Sequence, residues 1–205
     1  TSEVGEELQP GAMGAGYYWF SRRRDSSTEI WKAPEGGGAP SLHVVLPPAL
    51  GGAWNLYFAG GHLYFVSGET ETGYWRVIRA ETSAAALEVL PATLDYTWFN
   101  EGAGPLFVWD GRYLYFRTGT EWSSELWRDD PALESTLLLT PDEEVGGVRD
   151  LAAGDGFVFF FTLRNRLTLW KSDGTLGGTS AVADLEDEGW YEQMAPPPVA
   201  VVGPR

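Results

Sequence analysis

Apolar and polar side chains alternate over short stretches of this chain, the pattern that predicts half-buried β-strands. In residues 167–172, odd positions fall on one face of a strand and even positions, including Trp170, on the other. Asp173-Gly174 follows and is typical of a tight turn, because Gly takes positive φ at no steric cost and Asp bonds nearby backbone. A second strand is predicted over 180–184. The stretch 167–185 is therefore a predicted strand–turn–strand unit.

The same unit recurs along the chain. A glycine followed by an aromatic-rich run occurs at Gly16, Gly61, Gly111 and Gly156, in steps of 45, 50 and 45 residues. Further on, three copies have a polar or acidic residue, an aliphatic residue, Trp and a cation, at 29–32, 125–128 and 168–171. The second copy has Ile78 where Trp is expected. We expect Trp31, Trp127 and Trp170 to fill the wedges between neighbouring units, with Ile78 in the equivalent place.

A period in the forties built only from strand-like segments predicts a β-propeller. We predict an all-β chain with four repeats of about 45–50 residues, each a four-stranded antiparallel blade. The blades fall at about 10–46, 54–90, 104–139 and 148–184 of a single domain over 1–205. The first strand is expected near 11–15, with the residues before Pro10 frayed.

The segment 185–205 is predicted to close the propeller. After three prolines, residues 199–202 have the pattern of one more innermost strand, and a soluble chain should pair such an apolar edge. We expect it to pair with blade one, which would bring the arginines at 22–24 near Arg164. The alternative is that this strand begins a fifth blade of a longer array.

Residues 169–185, LWKSDGTLGGTSAVADL, resemble the bacterial ELWKSDGTxxGTxxVxDI repeat. That repeat is common in large extracellular proteins of myxobacteria and their relatives and is similar to β-propeller blades. The other copies lack the SDGT turn and have APEGGGAPS at 33–41, AETSAAA at 80–86 and DDPALES at 129–135. The resemblance implies a propeller scaffold in a secreted or cell-surface bacterial protein. The family has no single shared activity, so the resemblance implies fold rather than function.

The composition of the chain argues against several classes of partner and chemistry. Asp and Glu number 29 against 14 Lys and Arg, a formal net charge of −15, which repels phosphate backbones and predicts no nucleic-acid partner. The longest strongly apolar run, 157–163, is far below the roughly 20 residues that span a bilayer, so no membrane span is expected. The chain has no Cys, which excludes disulfides and thiolate chemistry. It shows no signal-peptide pattern, and we expect that a leader has been removed.

Catalytic signatures are missing from the sequence. It contains no GxSxG, HExxH, P-loop or GxGxxG motif, and its two histidines, His43 and His62, fall in different blades. We therefore predict that the chain is not an enzyme and has no cofactor.

Calcium is a weak possibility. The acids Asp184, Glu186 and Glu188 followed by Gly189 match the start of a calcium loop, but its twelfth position is Ala195 rather than Glu. A solvated acidic loop is favoured over a metal site.

The loops give the functional clue. In a propeller, the connections between blades share one face with the turn between the second and third strands of each blade. These connections carry Trp54, Asn55, Tyr96, Trp98, Asn100, Trp190 and Tyr191, and the turn in blade one carries Arg22, Arg23 and Arg24. Aromatic rings beside amides and charges suit a sugar or a partner protein. It is equally open that the aromatic side chains fold inward and cover the blade tops.

We therefore predict a non-catalytic binding or structural module that binds a protein or glycan partner, as a monomer or part of a larger assembly. One alternative is a lectin-like carbohydrate-binding propeller. Another is a glycan-cleaving enzyme with paired carboxylates, Glu101 with Asp150 or Glu188.

Overall fold

The computed structural model describes residues 7–68, 74–94, 106–119, 124–140, 147–154, 156–163 and 166–185. These residues form sixteen β-strands and no helix, so the prediction of an all-β chain is confirmed. Within each group of four consecutive strands, every strand pairs antiparallel with the next, and the four groups, here called blades one to four, follow each other along the chain. The chain separates into two compact units, Thr1–Leu94 and Asp95–Arg205.

The N-terminal unit contains blades one and two. The strands of blade one are β1 (Glu7–Gly14), β2 (Tyr17–Arg24), β3 (Ser27–Pro34) and β4 (Ser41–Val45). Those of blade two are β5 (Trp54–Ala59), β6 (His62–Gly68), β7 (Trp75–Glu81) and β8 (Leu87–Leu94).

The C-terminal unit contains blades three and four. The strands of blade three are β9 (Phe107–Trp109), β10 (Leu114–Gly119), β11 (Ser124–Asp130) and β12 (Ser135–Leu138). Those of blade four are β13 (Gly147–Gly154), β14 (Phe157–Leu163), β15 (Leu167–Ser172) and β16 (Ser180–Leu185).

The strands of the four blades lie within 7–45, 54–94, 107–138 and 147–185, and the single domain over 1–205 stays a prediction. Residues 1–6 lie outside the described part of the chain, and the expectation of a frayed start was wrong for 7–9, because β1 begins at Glu7 and pairs with β2 from its first residue. It could do so because a bulge between Gln9 and Ala12 absorbs Pro10, which cannot donate a ladder hydrogen bond. The predicted closing strand at 199–202 and Arg164 lie outside the described residues, so ring closure stays a prediction.

Blade one packs one face of its sheet against blade two. Trp19 and Ile30 of blade one are completely buried in a cluster with Phe65 and Ile78 of blade two. Ile78 therefore lies in the wedge between the two blades, as expected from its place in the repeat. The wedge accepts the smaller side chain because the fully buried indole of Trp19 belongs to the same cluster.

Blades three and four pack in the same way within their own unit. Tyr115 of blade three and Val148 and Phe160 of blade four are completely buried in one cluster. Trp170 is half-buried against it, stacked on Phe160 with ring centroids 6.1 Å apart. Its indole N–H donates to Thr162 Oγ1 at 2.8 Å. Trp170 thus lies between two blades, as predicted.

In two repeats, the acidic residue accepts a hydrogen bond from the indole N–H of the Trp two positions later. The indole N–H of Trp31 donates to Glu29 Oε2 at 2.8 Å, and that of Trp127 donates to Glu125 Oε2 at 2.9 Å. Residues two apart on a strand share a face, which brings the carboxylate to the indole. Both Trp side chains are half-buried. Whether Trp31 and Trp127 also fill wedges between blades stays a prediction.

The cation of the repeat lies over an aromatic ring at the first residue of the second strand, or, for Tyr113, at the residue just before it. The distances from cation to ring centroid are 5.1 Å for Lys32 and Tyr17, 4.5 Å for Arg128 and Tyr113, and 5.6 Å for Lys171 and Phe157. Such contacts stabilise a sheet by roughly 0.5–1 kcal/mol at exposed sites. They explain why a Gly-aromatic run and a Trp-cation pair occur together in these three repeats.

The turn between β15 and β16 is held by its own side chains. Thr175 donates to Asp173 Oδ1 through both its backbone N–H, at 2.9 Å, and its hydroxyl, at 2.7 Å. These bonds favour the carboxylate and lower the pKa of Asp173. The N–H of Gly178 donates to Thr175 Oγ1, and the hydroxyls of Ser172 and Thr179 bond each other. The letters S, D, G, T and the later G and T of the motif therefore each have a structural role.

This turn docks onto blade three through Gly174. Arg128 Nη1 donates to the carbonyl of Gly174 at 2.9 Å. Gly174 has φ of 85°, and a Cβ there would lie 2.8 Å from the Tyr113 ring and 3.0 Å from the Tyr115 hydroxyl. We call Tyr113, Tyr115 and Arg128 the blade-three cradle. Only glycine combines this backbone conformation with so close an approach to the cradle.

Gly174→Ala should therefore lower the free energy of unfolding by about 2 kcal/mol or more, since a left-handed backbone alone costs an L-residue roughly 1–2 kcal/mol. The melting temperature should fall by roughly 4–8 °C. Gly177→Ala is the matched control in the same turn, because a Cβ there meets nothing within 4 Å. It should change stability by less than about 0.5 kcal/mol in urea or thermal unfolding. Equal losses in the two variants would contradict the docking of Gly174.

A histidine connects blades one and two in a comparable way. His43 Nε2 lies 2.8 Å from the carbonyl oxygen of Glu81, a distance at which Nε2–H donates, and the ring meets Trp19 edge-on at 5.0 Å. Burial lowers the pKa of His43 below its ordinary 6.5, and the nearby Lys32 adds to this, although the hydrogen bond to Glu81 opposes it. The folded state therefore disfavours the protonated imidazole.

The N-terminal unit should lose stability on mild acidification. Below pH 6.5 the unfolded chain binds a proton at His43 that the folded chain takes up only at lower pH, so stability falls as pH drops through the folded pKa. Urea unfolding between pH 7.5 and 5 should show this loss in the natural chain and in His62→Gln, the control at the other histidine. His43→Gln should show a smaller loss. An unchanged pH dependence in His43→Gln would refute this role.

Candidate functional site

The residues predicted for the loop face, the calcium site and the paired carboxylates divide into those that the structure describes and those that it does not. Arg22, Arg23, Arg24, Trp54 and Asn55 are described by the structure, and all five belong to the N-terminal unit. The residues that it does not describe are Tyr96, Trp98, Asn100, Glu101, Glu186, Glu188, Trp190 and Tyr191. The site is therefore built from the N-terminal unit, and the role of the second group stays a prediction.

The connection from blade one to blade two is fixed against the end of blade one. The hydroxyl of Ser21 donates to the carbonyl of Ala53 at 2.9 Å, and that of Thr28 donates to the carbonyl of Gly51 at 2.8 Å. Backbone carbonyls in a connection have no ladder partner, so these hydroxyls supply one. The start of β5, and with it Trp54, is thereby held beside the turn between β2 and β3.

A shallow cleft of about 200 Å³ lies between these elements. Its lining residues are Glu7, Gln9, Ser21, Arg23, Thr28, Gly52, Ala53 and Trp54. The structure thus brings together Trp54 and Arg23, two residues predicted from different loops of the same face. We call this depression the Trp54 cleft.

The indole of Trp54 is held in place from two sides. Its ring centroid lies 4.6 Å from that of Trp75, with the rings tilted by 55°. The ring also lies directly over Gly52, where any Cβ would overlap it. Trp54 is half-buried, so part of its surface remains available to a ligand. A ring fixed in this way loses little conformational entropy when it binds a partner.

The three arginines predicted in a turn are instead the last residues of β2, paired with β3, and they have different roles. Arg22 lies in its own sheet, with its Nε 3.2 Å from Glu29 Oε2 and its guanidinium 4.9 Å from the ring centroid of Trp31. Arg23 and Arg24 are exposed, and Arg23 alone of the three lines the cleft. Arg22 therefore stabilises blade one, whereas Arg23 is placed to contact a ligand.

Strand β1 supplies the polar groups of the cleft that sequence patterns missed. Gln9 is half-buried, and its Nε2 donates to Glu7 Oε1 at 2.7 Å. Glu7 pairs in register with Arg23, so a carboxylate and a guanidinium come from facing positions of neighbouring strands. The cleft consequently offers hydrogen-bond donors and acceptors beside an aromatic ring.

Asn55 follows Trp54 but does not line the cleft. It lies in a bulge of β5 between Trp54 and Tyr57 and has φ of 52°, a conformation that Asn tolerates better than most residues. Its side chain is exposed. The structure therefore does not bring Asn55 together with Trp54 and Arg23.

Asp150 occupies an equivalent bulge in β13 and has φ of 44°. Its carboxyl is half-buried, and burial raises its pKa even though Arg117 and Arg149 lower it. Burial also lowers the pKa of Arg117 to about 10, against the stabilising charge of Asp150. Because Glu101 lies outside the described residues, the paired-carboxylate alternative stays a prediction.

Asp184 is engaged by protein groups. It accepts from the hydroxyl of Thr168 at 2.9 Å, and its Oδ2 lies 2.9 Å from Arg166 Nη1. The described part of the chain has no group of three or more side chains arranged to hold a metal ion. Glu186 and Glu188 lie outside that part, so a calcium site stays a prediction. No helix among the described residues is long and apolar enough to cross a membrane.

Solved structures are similar to this chain. A prolyl endopeptidase superposes with a TM-score of 0.54 at 13% identity, over 87% of this chain and 26% of that one. A puromycin-hydrolysing peptidase of Mycobacterium tuberculosis has a TM-score of 0.49 at 17% identity, over 83% and 27%. A Synechocystis apocarotenoid oxygenase has a TM-score of 0.49 at 13% identity, over 85% of this chain and 49% of that one.

No family model and no curated protein matches the chain. The chain spans about a quarter of the length of the two peptidases. The likeness to the propeller of the prolyl endopeptidase, together with four four-stranded antiparallel sheets, confirms the predicted β-propeller fold class.

The division of roles among the arginines can be measured. Arg22→Ala should lower the free energy of unfolding by about 1 kcal/mol, because it removes the contact with Trp31 and the ion pair with Glu29. Arg23→Ala should leave stability within about 0.5 kcal/mol of the natural chain, as for an exposed surface residue. Urea unfolding of the two variants makes the comparison. A larger loss in Arg23→Ala would show that Arg23 is structural.

Proposed function

We propose that this chain is a non-catalytic binding module whose loop face binds a partner through the Trp54 cleft. The repeat resemblance adds that the module belongs to a secreted or cell-surface bacterial protein. The observation that carries the proposal is the juxtaposition of Trp54 and Arg23 in one cleft of the N-terminal unit. Both come from loop-face segments held by the Ser21 and Thr28 hydrogen bonds.

The size of the cleft favours an anchor point over an enclosed ligand site. Its space of about 200 Å³ includes open solvent, so the cleft is an open depression that does not enclose a small molecule. A single side chain or sugar ring suits such a depression. Trp and Arg are also the residue types most enriched where a few side chains carry most of the binding free energy between proteins. A partner protein is therefore the first expected ligand.

The charge around the cleft favours a partner with an acidic group at the contact. The whole chain carries a formal charge of −15, so it repels acidic molecules at long range. Arg23 is an exposed cation within the cleft, so it can attract an acidic group at short range. A guanidinium binds a carboxylate with two parallel hydrogen bonds, which fixes orientation as well as affinity. Arg23 would thus select where an acidic side chain docks.

A glycan is the second candidate, and the polar wall of the cleft favours it. The amide of Gln9 and the carboxylate of Glu7 lie in the same cleft as the indole of Trp54. An aromatic face with neighbouring donors and acceptors can stack on a sugar ring and bond its hydroxyls. The two candidates differ in one respect, since a glycan ligand should bind without any protein partner present.

The experiment compares three surface variants in two assays. Trp54→Ala and Arg23→Ala each remove a cleft residue, and Arg24→Ala removes an exposed arginine at the end of the same strand that does not line the cleft. Labelled protein is applied to a printed glycan array and to immobilised extracellular proteins of the source bacterium. Each retained ligand is purified and its Kd measured. The two cleft variants should weaken binding about tenfold or more, which is about 1.4 kcal/mol, and Arg24→Ala should not.

Two results would contradict the proposal. Binding that survives both cleft substitutions would place the ligand elsewhere. Cleavage of a polysaccharide that is lost in Asp150→Asn would favour the glycan-cleaving alternative, because a half-buried carboxyl with a raised pKa suits a general acid.

A further inference from the structure

An Asp-Gly step is the point at which a polypeptide isomerises most readily without an enzyme. The backbone nitrogen of the glycine attacks Cγ of the aspartic acid, a C–N bond forms, and the carboxyl hydroxyl and the amide proton leave as water. Water then opens the resulting succinimide ring at the main-chain carbonyl, which leaves a peptide bond through Cγ, an isoaspartate. Glycine favours the attack because no side chain stands beside its nitrogen.

The structure describes two Asp-Gly steps, and both lie in tight turns. Asp110-Gly111 joins β9 to β10, and Asp173-Gly174 joins β15 to β16. Both glycines have positive φ, 100° and 85°. A third step, Asp155-Gly156, has its aspartate outside the described residues. The sequence alone would make each of these steps a site of isomerisation.

In both described turns, the aspartate carboxyl is bound to the backbone two positions later. Asp110 Oδ1 accepts from the N–H groups of Arg112, at 2.7 Å, and Tyr113, at 2.6 Å. Asp173 Oδ1 accepts from the N–H of Thr175 at 2.9 Å and from its hydroxyl at 2.7 Å. Each carboxyl is thereby held beyond the glycine. It must give up two hydrogen bonds before it can turn toward the glycine nitrogen.

The peptide group that would attack Asp173 is held as well. The N–H of Gly174 donates to Ser172 Oγ at 3.1 Å, and the Gly174 carbonyl accepts from Arg128. The backbone of Gly178 lies against the carboxyl, since a Cβ there would be 2.2 Å from Asp173 Cγ. Ring closure needs the carboxyl and this peptide group to rotate toward each other, which these contacts oppose.

The protonation state of Asp173 acts in the same direction. The hydrogen bonds from Thr175 lower the pKa of the Asp173 carboxyl below its ordinary 3.8, although desolvation opposes this shift. The group that loses water is the neutral acid, because a carboxylate oxygen is a poor leaving group. At neutral pH the folded turn therefore contains less of the reactive form than the unfolded chain does.

We propose that these hydrogen bonds protect Asp110 and Asp173 from isomerisation, and that Asp173 is the site that becomes modified when the Thr175 hydroxyl is lost. An isoaspartate at this position would insert one additional carbon into the backbone ahead of Gly174. The glycine carbonyl would then no longer meet Arg128 in the blade-three cradle. The site is separate from the Trp54 cleft, and the proposal does not depend on the function proposed for that cleft.

The first measurement needs no substitution. The natural protein and its tryptic peptides are incubated in the same neutral buffer, below the melting temperature of the protein. Site-resolved mass spectrometry with electron-transfer fragmentation identifies isoaspartate, because that residue breaks at its Cα–Cβ bond. Isoaspartate should form at Asp110 and Asp173 about tenfold or more slowly in the folded chain than in the peptides. Equal rates at either site would overturn the proposal.

Two substitutions then test the hydroxyl. Thr175→Val keeps the backbone donor but removes the hydroxyl, so it should raise the rate at Asp173 about three- to tenfold, the equivalent of one hydrogen bond. Asp110 in the same molecule should isomerise at its natural rate. Thr136→Val is the matched control, because the Thr136 hydroxyl donates to Asp129 Oδ1 at 2.9 Å and Asp129 does not precede a glycine. It should leave the rates at both sites unchanged.

Thermal unfolding confirms that each variant is folded at the incubation temperature. Thr175→Ser, which keeps a hydroxyl, should isomerise at the natural rate. An unchanged rate at Asp173 in Thr175→Val would show that the hydroxyl does not protect this step and would overturn the proposal. A rise at Asp110 as well as at Asp173 would also overturn it, because the substitution would then have loosened the fold instead of exposing one site.

Discussion

Each blade of this chain carries large apolar side chains on a sheet that cannot bury them alone. Trp19 belongs to blade one and Phe65 to blade two, and both are completely buried only because the two sheets pack face to face. Tyr115 and Phe160 have the same relation in blades three and four. Each aromatic side chain buries roughly 150–250 Å². At about 25 cal/mol per Å², one such side chain stabilises the two packed blades by at most about 4–6 kcal/mol. Packing between blades is therefore the constraint to which the other features conform.

Hydrogen bonds between blades supply alignment rather than most of the stability. A single bond contributes about 1 kcal/mol net, several times less than one buried ring. In both units a side chain of the first blade binds a backbone carbonyl of the second blade, either at the end of its third strand or in the turn that follows this strand. His43 does so at Glu81, and Arg128 does so at Gly174. Because a carbonyl has a fixed direction, these bonds select one register out of the many that apolar contact would tolerate. In blade three, the cation of the repeat, Arg128, makes this hydrogen bond.

The repeat made most of the fold predictable, because strand alternation and turn chemistry are local properties of the sequence. The position of Ile78 in a wedge followed from the period alone. The polar residues of the Trp54 cleft could not be predicted from the period. Glu7 and Gln9 were missed because Pro10 hides the first strand, and only a bulge restores its pairing. The sequence also grouped Arg22 with Arg23, whereas contact with Trp31 removes Arg22 from the loop face. The different roles of Arg22 and Arg23 depend on which neighbouring side chain each one contacts. The periodicity of the sequence carries no information about such contacts.

The turn between β15 and β16 has a consequence for the order in which the chain folds. Its side-chain hydrogen bonds join residues only two to seven positions apart, from the contact of Asp173 with Thr175 to that of Ser172 with Thr179. Closing so short a loop costs little chain entropy, so the hairpin can form before any distant strand is in place. Hairpins of this kind form in roughly 1–10 μs. The Gly174 carbonyl is then already oriented when blade three arrives, and Arg128 meets a preformed acceptor. The motif thus supplies a local nucleus in an architecture whose contacts between blades join more distant parts of the sequence.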